Sequence, residues 1–362
     1  MLFLTAILTL LVLLATILPF LPVAHGLVRV GDFPRQQLLG LSLFLLAGSL
    51  FLSDGGGIWI VLQIVLAATA ILQAAMIAEF TPLWRKQSVT YDPVADWNGE
   101  ALRLVASNVK MSNNRHADLA RTIAARDPDI VILMEVDDEW RRGLDGLLSR
   151  YPFIVDRCQD NSYGMLLASR LELIDVSVEC LLTEGVPSII ATVKTPKGRR
   201  FRLYCIHPEP PVPHDTSAGR DGETSLVALR TREEKLPVIV TGDLNDVAWS
   251  KTTRRFRRIS GLLDPRIGRK IFSTFDARWP LLRWPLDHLF HSGEFRYVRM
   301  ERLDPCGSDH FPVMFELVLC STEKAHDEPE EADGEEIGRA GDLVDDAARR
   351  DDEPIGSDWE EK

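Results

Sequence analysis

Apolar positions fall along this chain in three different rhythms. Up to residue 80 they run almost unbroken: Leu2–Ala24 is 23 residues without a charge, Gln36–Ser53 is a second such run of 18 and Gly55–Ala78 a third of 24. A helix needs about 20 apolar residues to cross the hydrocarbon of a bilayer, and as a helix it satisfies its own backbone hydrogen bonds. Three transmembrane helices are therefore predicted over residues 1–80. Asp54-Gly55-Gly56-Gly57 leaves only a tight turn between the second and third, and Trp84, Arg85 and Lys86 follow the third where interfacial anchors sit. A cleaved signal peptide competes for the first run. It would need a basic leader and a small-x-small cleavage site; this run has neither, and two further spans follow it.

After a linker over 81–100, the rhythm changes to short runs rich in β-branched residues, each ending in a polar group. Leu102–Ser107 ends at Asn108, Ile130–Met134 at Glu135 and Phe201–Ile206 at His207. Val238–Thr241 leads into Gly242-Asp243-Leu244-Asn245, Leu286 precedes Asp287, and Gly307-Ser308-Asp309-His310 precedes the run Phe311–Leu319. Such runs read as strands. The amphipathic stretch Arg115–Arg126, closed by Pro128, reads as a helix. Residues 101–320 are thus predicted to form one mixed α/β domain. From 321 onward apolar periodicity is lost, and 321–362 reads as an acidic disordered tail.

Charge sharpens this division. Of 53 acidic and 41 basic residues, the tail holds 17 and 5, so its net charge of −12 equals that of the whole chain and the rest is neutral. The low pI says nothing about the ligand of the folded domain. Three spans put Arg29, Arg35, Arg85 and Lys86 on the same side as the large domain, which by the positive-inside rule is the cytoplasm. The five cysteines are odd in number and fit no zinc spacing, as expected for free thiols.

Strands that each deliver an Asn, Glu, His or Asp to one sheet edge bring those groups together. Carboxylates so gathered repel one another and lose hydration unless a cation lies between them. Oxygen donors without paired cysteines suit a hard divalent ion, Mg²⁺ or Mn²⁺, and histidines beside them suit acid–base work on a phosphate ester.

The series Ser107-Asn108, Met134-Glu135, His207-Pro208, Gly242-Asp243-Leu244-Asn245, Asp287-His288 and Gly307-Ser308-Asp309-His310-Phe311-Pro312-Val313 resembles, in order, the endonuclease/exonuclease/phosphatase (DNase I-like) superfamily. The resemblance covers roughly residues 100–320. It implies a four-layer α/β sandwich with two central, mainly antiparallel sheets. The three preceding spans also resemble bacterial membrane-anchored members, which implies a multi-pass protein of the inner membrane; in some of these the catalytic domain faces outward, against the charge count. By the same resemblance Glu135 is the principal metal ligand, with Asn108 and Asp309 beside it. Asp243 orients or deprotonates the attacking water, Asn245 binds the phosphoryl oxygen, His310 acts at the phosphate and Asp287 fixes its tautomer. His207 matches DNase I-like and sphingomyelinase-like members, where apurinic endonucleases have tyrosine.

Other residues have rival readings. Asn108 is equally suited to cap a turn. Tyr163, in Asn161-Ser162-Tyr163-Gly164, faces either the substrate or the core. His288 reads as a locally bonded residue, His214 as a loop residue, and His116 and His291 as surface. Lys251, Arg254, Arg255, Arg257 and Arg258 form a basic helix that either binds a polyanion or is a solvated face. The reading that joins these observations is a membrane-anchored phosphoesterase acting on a phosphate ester or phosphodiester, a lipid-linked one being favoured by the tether. Its alternatives are a non-specific nuclease, for which the basic helix speaks, and a catalytically silent membrane adaptor. Expected partners are accordingly the substrate, the bilayer and, for a nuclease, nucleic acid.

Overall fold

The computed structural model describes residues 1–21 and 23–359. Its N-terminal part holds α1 (Leu2–Ile17), the short α2 (Gly26–Val30), α3 (Arg35–Leu52) and α4 (Gly57–Ile77). The three long helices, each a few residues from its predicted bounds, are long and apolar enough to cross a membrane. They pack through Val12, Leu38, Leu45 and Leu66, while Phe44, Phe51, Ile60 and Ile71 lie exposed on the outside. Polar side chains face inward: Gln73 donates to Thr16 Oγ1 at 3.0 Å and Thr69 to Ser42 Oγ at 3.3 Å. Apolar outside and polar inside is the distribution suited to helices surrounded by lipid.

The remainder runs β1 (Glu100–Asn108), α5 (His116–Arg126), β2 (Ile130–Met134), α6 (Asp138–Gly143), α7 (Asp145–Leu148), β3 (Phe153–Arg157), β4 (Met165–Ser169), β5 (Glu172–Cys180), β6 (Pro187–Lys194), β7 (Arg200–Cys205), α8 (Ala218–Arg232), β8 (Val238–Asp243), α9 (Lys251–Ser260), β9 (Asp287–His291), β10 (Phe295–Arg302), β11 (Val313–Leu319) and α10 (Gly334–Ala348). One sheet has the order β10-β11-β1-β2-β4-β3 and the other β5-β6-β7-β8-β9. Each holds one parallel pair, β1 with β2 and β7 with β8, among antiparallel ones.

The period of two along a strand sorts residues between layers. Ile130, Ile132 and Met134 of β2 enter the core between the sheets, against Ile189, Leu203 and Ile239. Val131 and Leu133 point the other way, onto Leu119, Ile123 and Trp140 of α5 and α6. The second sheet is covered by α8, α9 and α10 through Val227, Phe256 and Ala340. The result is the expected four-layer α/β sandwich. Strands buried on both faces read as continuous apolar runs, as β2 does.

Register then places the chemistry. β1 and β2 are parallel, so Asn108 and the residue after Met134 emerge at one edge. β11 is antiparallel to β1 and starts at that edge, just after His310. In the second sheet Asp243 pairs directly with Asp287.

Three expectations differ from the structure. The acidic tail is not uniformly irregular: α10 spans Gly334–Ala348 and buries Ala340 and Ala347. Its apolar positions Ile337, Ala340, Val344 and Ala347 recur at helical spacing, a pattern obscured by the surrounding acids. A Cβ on Gly222 of α8 would lie 2.4 Å from the Ala347 Cβ, so the glycine permits the close approach of these helices. The basic stretch on α9 is neither a polyanion site nor a solvated face. Arg254 and Arg257 pair with Glu79 at the end of α4 at 3.3 and 3.1 Å, Arg258 pairs with Glu336 of α10, and Arg255 is buried. These arginines fasten the sandwich to the helical bundle and to the tail. Finally, His291 is fully buried, with Nε2 at 2.8 Å from Ser88 Oγ; it lies on the apolar strand β9 and not on the surface.

The packing beneath the tail generates a pH prediction. Glu223 of α8 is buried beside Ser188, whose hydroxyl donates to it at 3.1 Å. Burial raises its carboxyl from 4.5 to about 8, against the opposing effect of Ser188 and with help from Glu209. A raised acid favours the fold fully below its unfolded value, and that contribution is lost as pH climbs through about 8. Glu223→Gln should therefore raise the unfolding temperature at pH ~9 by about 5 °C and change it little near pH ~4.5. Thermal unfolding of the full chain in detergent measures this; an equal effect at both pH values would contradict it.

Candidate active site

Asn108 joins the two sheets. Its Nδ2 donates to Glu135 Oε1 at 2.6 Å and to Asp243 Oδ2 at 3.2 Å, and its Oδ1 accepts the Lys110 amide at 3.0 Å. The Lys110 bond is the turn-capping contact expected of this residue. The backbone is left-handed at Glu135 (φ 61°) and Asn245 (φ 50°). Asparagine tolerates this region and glutamate seldom adopts it, and such strain gathers at functional sites. Gly242, at φ 147°, is required for a second reason: a Cβ there would lie 1.9 Å from the Ile206 carbonyl oxygen.

Behind Asp243 stands a histidine–carboxylate pair. His310 Nδ1 lies 2.9 Å from Asp287 Oδ2, and its Nε2 lies 3.3 Å from Asp243 Oδ2. Burial alone would lower its pKa, but the charges of Asp287 and Asp243 prevail and raise it to about 10. Burial raises the Asp243 carboxyl, opposed by His310. Burial also keeps His207 below the usual histidine value, although its Nε2 is 3.9 Å from Asp243 Oδ2. The site therefore contains an imidazole held as a cation by two carboxylates and a second one held neutral. Asn245 is fixed by its backbone N–H to Asp243 Oδ1 at 2.9 Å and its Nδ2 to the Pro208 carbonyl at 2.9 Å.

A cavity of about 400 Å³ opens over this cluster, with Asn108, Glu135, Tyr163, His207, Asp243, Asn245, Asp309 and His310 in its wall. Asp287 supports His310 from behind. Tyr163 is almost fully buried yet borders the cavity, its ring 5.4 Å from that of His207. Arg254 and Arg255 do not line it. His288 is a structural residue: buried, with Nδ1 at 2.7 Å from Arg266 and Nε2 at 2.9 Å from the Asp246 carbonyl. His214 lies exposed in a turn.

Several residues in and behind the wall were given no role from the sequence. Lys110 reaches Asp309 at 3.0 Å. Ser308, within the quoted motif but without a role there, donates to the Asn108 carbonyl at 2.9 Å and accepts the His310 amide at 3.0 Å. Phe275 sets its ring 4.9 Å from that of His310. Val30 and Phe33 come from the connection between the first two long helices, and Ile355, Gly356 and Trp359 from the tail. The tail is held there by Arg350, 2.6 Å from Glu209, and by the Tyr163 hydroxyl, which donates to the Ile355 carbonyl.

The donor set fits a hard cation. It offers carboxylates and an amide, with no cysteine in the cavity wall. Asp243, Asp287 and His310 place ligand atoms within 4.8 Å of one another. In this shell the buried His207 Nδ1 and Asp287 Oδ1 have no hydrogen-bond partner among the described residues. Asp287 Oδ2 and His310 Nδ1 are already engaged with each other at 2.9 Å.

No curated protein matches this sequence. Among solved structures, an endonuclease/exonuclease/phosphatase family protein from Bacteroides thetaiotaomicron superposes with a TM-score of 0.50 at 18% identity, over 61% of this chain and 98% of that one. A family member from Bacteroides vulgatus gives 0.50 at 19%, over 61% and 99%. A truncated TDP2 from Caenorhabditis elegans gives 0.50 at 19%, over 61% and 98%. These likenesses show the fold. The sequence profile of the Endonuclease/Exonuclease/phosphatase family matches residues 105–310, a stretch running from β1 to His310, and the chain belongs to that family.

Proposed function

We propose that this chain is a membrane-anchored, divalent-metal-dependent phosphoesterase that hydrolyses a phosphate ester or phosphodiester. The observation that carries the proposal is the junction at Asp243, which meets Asn108 from the other sheet on one side and His310 on the other. Asp243, desolvated and raised in pKa, is suited to accept a proton from water. The water oxygen then bonds to phosphorus as the bond from phosphorus to the leaving oxygen breaks. Asn245 is placed to donate to the phosphoryl oxygen as charge builds, and His310, charged at neutral pH, to protonate or stabilise an oxygen at the same centre. Asp287 holds the His310 ring in the orientation this needs. A Mg²⁺ or Mn²⁺ ion held by Glu135, with Asn108 and Asp309 beside it, would supply neutralisation of the phosphate charge.

The rival nuclease reading rested on the basic helix, and its support weakens because those arginines are engaged by Glu79, Glu336 and the protein interior. The junction of Asn108, Asp243 and His310 favours an enzyme over the adaptor reading. For orientation, the count of four basic residues supports a cytoplasmic domain. Two of them also have structural uses: Arg29 pairs with Asp221 at 3.1 Å, and Arg35 pairs with Asp32.

Glu135→Gln removes a ligand charge with little change of volume, so it should abolish turnover while leaving the thermal unfolding profile intact. Chelation should abolish the wild-type activity, and Mg²⁺ or Mn²⁺ should restore it. Activity of Glu135→Gln at the wild-type level in the presence of chelator would sink the mechanism.

Asp243→Asn and His310→Ala should each lower kcat by about 10²–10⁴, and His214→Ala by less than about twofold. Steady-state kinetics on the same ester decide this, and a crippling effect of His214→Ala would reassign the histidines.

Orientation is tested with a cytoplasm-only fluorescent protein and an export-dependent alkaline phosphatase, each fused after Lys362. Fluorescence without phosphatase activity is expected; the reverse places the site outside.

A further inference from the structure

The segment 276–284 is an exposed apolar loop at the mouth of the site. Trp279, Leu281 and Leu282 leave 60%, 85% and 47% of their surface uncovered. Three large side chains clustered in this way are unfavourable in water and mark a surface made for another medium. The loop is closed at its base by Phe275 and Trp284, which pair through the Phe275 N–H to the Trp284 carbonyl at 3.0 Å and stack their rings 6.1 Å apart.

What covers it follows from its neighbours. Gln37, in the first turn of α3, donates to the Leu281 carbonyl at 2.9 Å. Arg35 donates to Gln73 of α4 at 3.1 Å, so the start of α3 and the end of α4 lie at one end of the bundle. Leu83 and Trp84, after α4, are likewise 97% and 50% exposed. The loop therefore meets the start of α3, at the end of the bundle where Leu83 and Trp84 also lie exposed.

From that end an aromatic row leads inward. Phe33 meets Trp284 edge-on at 5.9 Å, Trp284 stacks on Phe275, and Phe275 lies 4.9 Å from His310. Phe33 and Phe275 also line the catalytic cavity. A cation accompanies the row. Arg278, 54% exposed, pairs with Asp276 and lies 3.6 Å from Asp309 in the cavity wall. Apolar rings on one side and a guanidinium on the other suit a molecule with a hydrocarbon part and an anionic head.

We infer that the 276–284 loop lies in the bilayer surface and that the substrate is a membrane-resident amphiphile, a phosphate headgroup on a long hydrocarbon chain. The headgroup enters past Phe33, Trp284 and Phe275, while the chain stays in lipid beside α3. This rests on the phosphoesterase reading of the site and narrows its substrate class.

The test uses the full chain in lipid nanodiscs with Mg²⁺. Long-chain phosphatidic acid and phosphatidylglycerol, embedded in the disc, are compared with their water-soluble dibutyryl homologues. The combined variant Trp279→Ser, Leu281→Ser, Leu282→Ser should lose about tenfold or more in kcat/KM on the long-chain lipids and stay within about twofold on the short ones. A second readout is independent of turnover: brominated lipid should quench more fluorescence in the wild type than in Trp279→Phe. Equal losses on both chain lengths, no loss on either, or no quenching difference would each overturn the proposal. So would a wild type that cleaves soluble esters or nucleic acid but neither embedded lipid. The underlying reading fails separately. If Glu135→Gln retains full hydrolysis of every ester, or the wild type hydrolyses none, the phosphoesterase assignment falls and takes this proposal with it.

Discussion

The catalytic domain turns on one buried charge. Asp243 is 1% exposed, and a carboxylate so far from water is costly unless donors surround it. Here the donors come from every direction: the Asn108 amide from the other sheet, the Asn245 backbone N–H from its own loop and the His310 imidazolium from the entry to β11. None of these groups is near Asp243 in sequence except Asn245. The packing of one sheet on the other is thus fixed at its working edge by a polar contact as well as by the apolar core. A small slip of β1 against β8 would take the Asn108 amide away from Asp243.

The same loop is secured from below. Asp246, one residue after Asn245, is bonded by the Ser250 hydroxyl at 2.5 Å and lies 3.4 Å from Arg220. Arg220 pairs with Asp221, which Arg29 also reaches, and Trp249 donates its indole N–H to the Asp32 carbonyl at 2.7 Å. Asp32 pairs with Arg35, and Arg35 bonds Gln73 within the helical bundle. Ion pairs this deep are poor sources of stability, but removal of one member strands the others, which makes the arrangement specific. Burial raises the Asp32 carboxyl to about 6, against Arg35. A chain of polar contacts therefore runs from the catalytic loop to the bundle, and the position of the active site relative to the spans is set by chemistry as well as by linker length.

This explains which parts of the molecule were legible in the sequence. Strand ends bearing Asn108, Glu135, Asp243 and His310 stood out because a polar residue closing an apolar run has few structural reasons to be there. The spans stood out by length alone. The role of α9 was illegible because five basic residues in ten look alike whether they meet phosphate, water or Glu79; only the partner distinguishes them, and Glu79 lies more than a hundred residues earlier. α10 was hidden because net charge dominates the composition of the tail, while helix formation depends on four or five apolar positions docking on a glycine-bearing face of α8. His291 misled for a similar reason: a histidine at the end of an apolar strand is on the surface or in the core according to what covers that end, and here Ser88 from the linker does so.

The cavity wall joins the shared fold to parts of the chain that lie outside it. Its floor is built by the β-strand ends, the part the family profile matches. Its sides are only partly so: Val30 and Phe33 come from the connection between the first two long helices, and Ile355, Gly356 and Trp359 from the acidic tail, both outside the matched stretch. The polar residues of the cavity lie in the shared fold, and the two ends of the chain add apolar wall to that which Tyr163 and Phe275 supply from within it. Glu209 shows how closely the tail is integrated, since it accepts both the Arg350 guanidinium and the Ile355 backbone N–H at 2.9 Å from a position two residues after His207. The shape of the cavity thus depends on the tail's docking on α8 and on the bundle's docking on α9, contacts that join three regions the composition alone would separate.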